Sequence, residues 1–264
     1  MTYTDITFDV EEGVALLTLN RPEKLNAMSW HSWDELRDAL RRVNESDDIT
    51  VLMVTGAGRG FSSGTDLVAA QAAGGEPAPE LTRGEKLRSR HLVTAEVLAC
   101  YKPTIGAING VAAGASLAMT LAMDIRIASE AARFTTAYSK RGLSPDFGAT
   151  YLLPRVVGMS KALELLYLAD TIDAQEALRI GLVSRVVPQD QLMPTAMALA
   201  RRLAQGPSLA LEITRRLAYR AMYPELVEHI QMEEYLQRVT LSSDDLREGM
   251  RAFLEKREPV FKGR

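Results

Sequence analysis

Residues 50–67 read TVLMVTGAGRGFSSGTDL, an apolar run followed at once by a loop rich in glycine. The run from Thr50 to Thr55 is uninterrupted and partly β-branched, which predicts a strand covered on both faces, as in a parallel sheet. Similar runs alternate with helical patterns along the chain, and such alternation indicates an α/β core. The stretch therefore predicts an α/β fold in which the glycine loop follows a buried strand.

The flanking sequence extends the same alternation. Ser29 is a predicted cap for a helix in which Trp33, Leu36, Leu40 and Val43 recur at helical spacing. Further strands are predicted at 14–19, 104–108, 125–128, 133–135 and 182–187, a tight turn at 110–114, and helices at 115–123 and throughout 191–264. A mobile loop is predicted at 71–80, and a basic helical stretch follows it at 83–90. We predict a core domain at 1–200 and a C-terminal helical region at 201–264.

Composition excludes several classes of protein. The 264 residues are 47% hydrophobic and 25% charged, as in an ordinary globular chain. The net charge of −3 argues against nucleic-acid binding, and the single cysteine, Cys100, leaves no internal disulfide and no cysteine metal cluster. The first nine residues lack a basic start and an apolar run, so no signal peptide is expected. No apolar run is long enough for a membrane span, and we predict a cytoplasmic protein.

The glycine loop is open to two further interpretations. Gly56-Ala-Gly-Arg-Gly60 follows a strand, as a dinucleotide-binding loop does, but its spacing differs from Gly-x-Gly-x-x-Gly. Gly60-Phe-Ser-Ser-Gly64 matches the Gly-x-Ser-x-Gly elbow of α/β-hydrolases, with Ser62 as nucleophile. That interpretation requires a histidine on a later loop. His91 comes early in the chain, and His229 lies within an amphipathic helical pattern.

Five segments together resemble the crotonase, or enoyl-CoA hydratase/isomerase, superfamily. They are NRPEKLNA at 20–27, GFSSGTDL at 60–67, NGVAAGASLAM at 109–119, TIDAQEALRIGLVS at 171–184 and GMRAFLEKR at 249–257. The resemblance covers nearly the whole chain, and five segments in this order are highly specific. It implies a crotonase-like ββα spiral core with a C-terminal helical trimerisation region, assembled as a homotrimer or a dimer of trimers.

The resemblance also implies a chemistry. Members of the superfamily hold an acyl-CoA thioester and stabilise the negative charge that develops on its carbonyl oxygen. By position, the two backbone N–H donors are those of Thr65 and Ala115, with Gly64 and Gly114 allowing close backbone approach. Coenzyme A enters as part of the substrate, and neither a metal nor a redox cofactor is implied.

Two positions depart from the pattern of a hydratase. Where the family's hydratases carry two catalytic glutamates, this chain has Ala118 and Tyr138. Water addition needs an acid and a base, which these two residues do not supply at neutral pH. Asp146, in Gly142-Leu-Ser-Pro-Asp-Phe-Gly148, resembles the catalytic acid of ring-epoxide isomerases and of double-bond-shifting enoyl-CoA isomerases. We predict that Asp146 moves the proton and that Tyr138 orients Asp146 or the acyl group. A residue that only forms a turn is the simpler alternative.

Other positions are carried over from the family. The implied substrate contacts are Lys24, Ala27, Gly64, Asp66, Leu67, His91, Gly114, Phe253 and Lys256. His91 is similar in position to the catalytic histidine of 4-chlorobenzoyl-CoA dehalogenases, although a helix-surface histidine also fits. In relatives, the C-terminal helices of one subunit cover the pocket of the next. Open alternatives are a hydratase with an atypical acid and base, a dehalogenase or hydrolase with Asp146 as nucleophile, and a non-catalytic acyl-CoA binder.

Overall fold

A six-stranded sheet forms the centre of the fold in the computed structural model, which describes residues 2–67, 90–221 and 226–263. Its strands, in spatial order, are β1 (Ile6–Glu11), β2 (Val14–Leu19), β3 (Val51–Gly56), β4 (Thr104–Ile108), β6 (Ile125–Ser129) and β9 (Arg185–Val187). Only β1 and β2 are antiparallel, and the other neighbours in this sheet are parallel. A smaller sheet contains β5 (Val111–Ala113), β7 (Arg133–Thr135) and β8 (Ile172–Asp173).

Helices cover these sheets and form the C-terminal region. In the described residues they are α1 (Trp30–Glu45), α2 (Val93–Leu98), α3 (Gly114–Leu121), α4 (Ala149–Val157), α5 (Met159–Leu168), α6 (Ala174–Arg179), α7 (Leu192–Ala204), α8 (Ser208–Arg220), α9 (Leu226–Leu241) and α10 (Asp244–Glu255). The mixed α/β architecture predicted from the sequence is confirmed. None of the described helices is long and apolar enough to cross a membrane.

Local sequence explains the elements that border the site. Every residue of β3 is buried, as the uninterrupted apolar run predicts for a central parallel strand. Helix α1 begins after Ser29, whose hydroxyl accepts the N–H of Ser32 at 3.0 Å, while the Ser32 hydroxyl accepts the N–H of Ser29. This reciprocal cap confirms the predicted helix start. Trp33, a member of the predicted apolar face, is fully buried.

Several predicted boundaries were wrong. The segment 110–114 is not only a turn, because Val111–Ala113 pairs with β7 and so forms β5. The strand predicted at 182–187 is confined to Arg185–Val187. Strand β1 was not predicted, since its acidic, largely exposed sequence carries no apolar run. The loop predicted at 71–80 lies outside the described residues, as does the basic stretch at 83–90 apart from Arg90, which begins a short 3-10 turn.

Buried polar contacts join α8 of the C-terminal region to the core, and Arg215 makes several of them. The Arg215 guanidinium of α8 donates to the Asp124 carboxylate at 2.8 Å and to the carbonyl oxygens of Val97, Leu98 and Cys100. These carbonyls end α2, so Arg215 joins α8 to the wall of the site. The division at residue 200 stays a prediction.

Candidate active site

The loop after β3 is held by two asparagine side chains from distant segments. The Asn26 amide nitrogen donates to the carbonyl oxygens of Ala57 and Gly60 at 2.9 and 2.8 Å. The Asn109 amide nitrogen donates to those of Gly58 and Gly60 at 3.0 and 3.2 Å. The loop carbonyls are thus satisfied by buried amides, and the interior of the loop is occupied. The N–H groups of Gly56 and Ala57 are also bonded within the protein, to Asn109 Oδ1 and to the Leu19 carbonyl, so the loop does not present them to a phosphate.

Ser62 fastens this loop to α3. Its side chain is fully buried; its hydroxyl donates to the Asn26 carbonyl at 2.7 Å and lies 2.6 Å from the Ser116 hydroxyl. A hydrolase elbow presents its serine at the surface with a histidine in hydrogen-bond reach. Ser62 meets neither condition among the described residues, and the hydrolase interpretation of Gly-x-Ser-x-Gly is rejected.

Two glycines bring the loop against the N-terminus of α3. Gly64 has φ +94°, and a Cβ placed there would lie 2.7 Å from the carbonyl oxygen of Ala113 and 3.7 Å from the nitrogen of Ala115. Gly114 has φ +52°. A side chain at Gly64 would therefore separate two backbones that here pack directly on each other.

The approach leaves two N–H groups available to a ligand. In the bridge between Met28 and Thr65, the bonds are made by the N–H groups of Met28 and Asp66, so the N–H of Thr65 faces the opposite side. Ala115 is the second residue of α3, and the first four N–H groups of a helix have no intrahelical acceptor. Both residues line the same cavity. The pair can bind an oxyanion, and the helix N-terminus favours the negative charge.

The cavity in front of these donors has a volume of about 640 Å³. It collects most of the predicted site, namely Lys24, Ala27, Gly64, Thr65, Asp66, Leu67, His91, Gly114, Ala115, Tyr138 and Asp146. It also contains residues that were not predicted, namely Trp30, Ser63, Thr136, Ala137, Arg141, Leu143 and Phe147. Phe253 is 79% exposed and, like Lys256, does not line the cavity of its own chain.

Asp66 and Asp146 are the carboxylates in the described lining of the cavity, and Asp66 has cationic partners. It pairs with Arg21 at 3.1 Å and lies 3.7 Å from the Lys24 ammonium. Arg21 also donates to the Ala27 carbonyl at 2.5 Å. Asp66 therefore fastens the 20–27 segment to the loop that carries the first donor, and its charge is compensated. The segments 20–27 and 60–67 are thus linked to each other in the folded chain by ion pairs.

Asp146 has a different environment. Its carboxylate oxygen Oδ1 is buried and has no hydrogen-bond partner among the described residues. The Tyr138 hydroxyl lies 3.5 Å from the Asp146 carbonyl oxygen. Burial, reinforced by the negative charge of Asp146, raises the pKa of Tyr138 far above its ordinary value. Tyr138 is thus a neutral donor, and the Asp146 carboxylate beside it has an oxygen that can accept a proton.

Ala118 occupies a position that the family resemblance assigns to a glutamate of hydratases. It lies on the buried side of α3, with no exposed surface. Tyr138, at the second position, contributes only its protonated hydroxyl. Across the described residues no group of three or more metal-binding side chains occurs. The titratable side chains in the described lining are those of Lys24, Asp66, His91, Tyr138, Arg141 and Asp146.

His91 lines the cavity as part of an aromatic wall. Its ring lies between those of Trp30 and Phe147, with centroid distances of 6.0 and 4.7 Å. Trp33 packs behind Phe147 at 4.8 Å. Trp30 and Phe147 were missed because each follows a residue with a stronger local signal, the cap Ser29 and the acid Asp146.

Comparisons with known proteins agree with this geometry. The sequence model of the family described as Enoyl-CoA hydratase/isomerase matches residues 9–264. The chain is 41% identical over 255 residues to the 1,2-epoxyphenylacetyl-CoA isomerase of Escherichia coli (strain K12), covering 97% of each. It is 35% identical over 263 residues to the crotonyl-CoA hydratase of Syntrophomonas wolfei, covering 99% of each. A crystal structure of an enoyl-CoA hydratase from Bacillus anthracis superposes with a TM-score of 0.90 at 32% identity, covering 99% of this chain and 100% of that one.

Proposed function

The chain belongs to the enoyl-CoA hydratase/isomerase family, and within it we propose that this enzyme moves the double bond of an enoyl-CoA rather than adding water to it. The observation that carries the proposal is the buried, unpartnered Oδ1 of Asp146 in the cavity that also holds the donors of Thr65 and Ala115. A carboxylate with one oxygen free of described partners, beside an oxyanion site, suits proton transfer at carbons next to a thioester.

The reaction needs one base and no water. Asp146 takes a proton from C2 of a 3-enoyl thioester, and the C–H electron pair forms a dienolate whose charge rests on the thioester oxygen. The N–H groups of Thr65 and Ala115 stabilise that charge, each worth about 2.7–4 kcal/mol of barrier. Protonated Asp146 then returns its proton to C4, and a 2-enoyl thioester results. Neither metal nor redox cofactor takes part in this proposal.

Tyr138 has a supporting role in this scheme. Its hydroxyl stays protonated, because burial raises its pKa, and it lies beside Asp146. A neutral donor there helps to fix the loop that carries the base while leaving Oδ1 free for the substrate. We propose that Tyr138 positions Asp146 and does not itself exchange a proton.

A hydratase is the second candidate function. It is favoured by the printed name of the Syntrophomonas wolfei relative, a crotonyl-CoA hydratase. Against it stands the absence of a carboxylate at Ala118 and at Tyr138. A hydratase here would need a second acid, and Glu85, one acid to consider, lies outside the described residues.

The direct test compares two reactions on one enzyme preparation. We expect 3-hexenoyl-CoA, or a ring-bearing 3-enoyl-CoA, to be converted to the conjugated 2-enoyl thioester, measured as a rise in its absorbance. Crotonyl-CoA hydration, measured as a loss of the same absorbance, should be slow or absent. Fast hydration without isomerisation would contradict the proposal. An acyl group trapped on Asp146 would identify a nucleophile, and tight CoA binding without turnover would identify a binder.

We also propose that the enzyme is a trimer or a pair of trimers. The supporting observation is the apolar surface of α10, where Met250, Phe253 and Leu254 are more than half exposed. A neighbouring subunit would cover these side chains. Phe253 and Lys256 of the first subunit would then lie at the cavity of that neighbour. Light scattering should give three or six times the 29.0 kDa chain mass. A monomer would contradict the assembly without affecting the chemistry. A cytoplasmic location stays a prediction.

A further inference from the structure

The imidazole of His91 is a cavity group that the proposed reaction does not use. Its ring is stacked on Trp30, with planes 25° apart, and tilted against Phe147, with planes 40° apart. Because the imidazole stacks face to face with Trp30, its edge is the part that a ligand in the cavity can meet by hydrogen bonding. That edge carries the two ring nitrogens, Nδ1 and Nε2.

The position of His91 is set by the core. The residue belongs to the 3-10 turn Arg90–Leu92, which leads directly into α2. Helix α2 is tied to α1 by Arg37, whose Nε and Nη2 donate to the Glu96 carboxylate at distances between 2.6 and 3.1 Å. Val93, next to the turn, is fully buried. The imidazole therefore has a fixed place in the wall.

The ring nitrogens of His91 lack a partner within the part of the chain that the structure describes. The described lining of the cavity combines apolar side chains, such as Leu67 and Leu143, with polar ones, such as Tyr138 and Arg141. His91 is exposed, so water can bond to its ring nitrogens in the empty cavity, and an acyl group that displaces this water must provide a hydrogen bond in its place. An acyl group with a suitable oxygen would supply it, whereas a plain hydrocarbon would displace water from the imidazole without replacing it.

We propose that His91 is a specificity-determining residue that selects acyl groups bearing an oxygen, as a hydroxyl, ether or carbonyl. The oxygen belongs to the acyl portion, because Phe147 both contacts His91 and directly follows Asp146, where the reacting carbons lie. The flat rings of Trp30 and Phe147 favour a planar or cyclic segment beside that oxygen. This inference rests on the proposed function, since it places the acyl group in the same cavity.

Binding of saturated thioesters tests the inference without requiring turnover. The probes are octanoyl-CoA with 8-hydroxyoctanoyl-CoA, and phenylacetyl-CoA with 4-hydroxyphenylacetyl-CoA, each titrated by calorimetry. For each pair, the ratio of the Kd of the parent to that of the hydroxylated form is compared among wild type, His91→Phe and His91→Gln. In at least one pair, His91→Phe should lower this ratio by about tenfold, as loss of one hydrogen bond implies. His91→Gln, which keeps a donor and an acceptor, should retain more of it.

An equal ratio in wild type and His91→Phe for both pairs would overturn the inference. If His91→Phe does not fold, a wild type without preference for either hydroxylated probe overturns it equally. Failure of the proposed function has another signature, because 3-hexenoyl-CoA would then bind without being isomerised. The two outcomes are read from different substrates and do not depend on each other.

Discussion

Replacing Gly64 by alanine should separate the two oxyanion donors. The new Cβ would lie 2.7 Å from the Ala113 carbonyl oxygen and 3.7 Å from the nitrogen of Ala115. Real Cβ atoms do not approach a backbone oxygen so closely, so the loop or the start of α3 must move. Either movement changes the position of one N–H relative to the other.

The expected magnitude has two parts. A non-glycine residue at strongly positive φ costs about 1–3 kcal/mol of stability, and overpacking against backbone adds about 1–3 kcal/mol. Displacing one donor should lower kcat by about 10²–10³. The matched control is Gly158→Ala, because Gly158 has φ +80° but a Cβ added there would meet no atom within 4 Å. The control therefore carries the conformational cost alone.

Both variants are assayed with 3-hexenoyl-CoA for kcat and by urea unfolding for stability. Gly158→Ala should lose about 1–3 kcal/mol of unfolding free energy, while its oxyanion donors stay in place. Gly64→Ala should lose more stability and, unlike the control, most of its activity. If Gly64→Ala kept kcat within about threefold of Gly158→Ala, the donors would not depend on the close approach at this glycine.

Three further predictions concern stability. Ser62→Ala should lower the unfolding free energy by about 1 kcal/mol, because a buried hydroxyl loses its bonds; an unchanged urea midpoint would contradict the fastening role. Arg215→Ala should cost about 3 kcal/mol, because its carboxylate partner is left without a buried cation, while the exposed Arg216→Ala should cost little; equal losses would contradict the anchor. The Arg179 guanidinium lowers the pKa of Glu176 to about 2. The stabilisation of the folded state by this ion pair is therefore complete above pH about 4.5 and is lost as the pH falls toward 2. Glu176→Gln should reduce that acid-induced loss in thermal melts, and an unchanged pH profile would contradict it.

The sequence predicted the strands and helices whose burial requires a recognisable local pattern of apolar residues. Strands β2, β3 and β4 are continuous apolar runs because the sheet is covered on both sides, and Ser29 capped α1 as its side chain predicts. Strand β1 was missed because it lies at the sheet edge, where acidic residues face solvent. The short β5 was missed because only its pairing with β7, about 20 residues later in the chain, makes it a strand.

The residues of the site were predictable where their segments of sequence resemble those of the crotonase superfamily. Gly64, Gly114 and Asp146 were identified by position, and all three line one cavity. The sequence could not show that Ser62 is buried under α3. Nor could it show that His91 lies between two aromatic rings, because those rings come from α1 and from the loop before α4. Such contacts arise only when the sheet brings distant segments together.

The measurement that tests the central claim most directly is proton exchange by Asp146→Asn. This variant keeps the shape of the side chain and removes its basicity, so 3-enoyl-CoA isomerisation should fall by about a hundredfold or more, with CoA binding near that of wild type. In D₂O, wild type should incorporate solvent deuterium at C4 in the fraction of turnovers in which protonated Asp146 exchanges with solvent before it returns the proton, and the variant should incorporate none. Asp170→Asn, at an exposed surface ion pair with Lys140, is the matched control and should behave as wild type. Isomerisation and deuterium uptake by Asp146→Asn at wild-type rates would show that Asp146 is not the base.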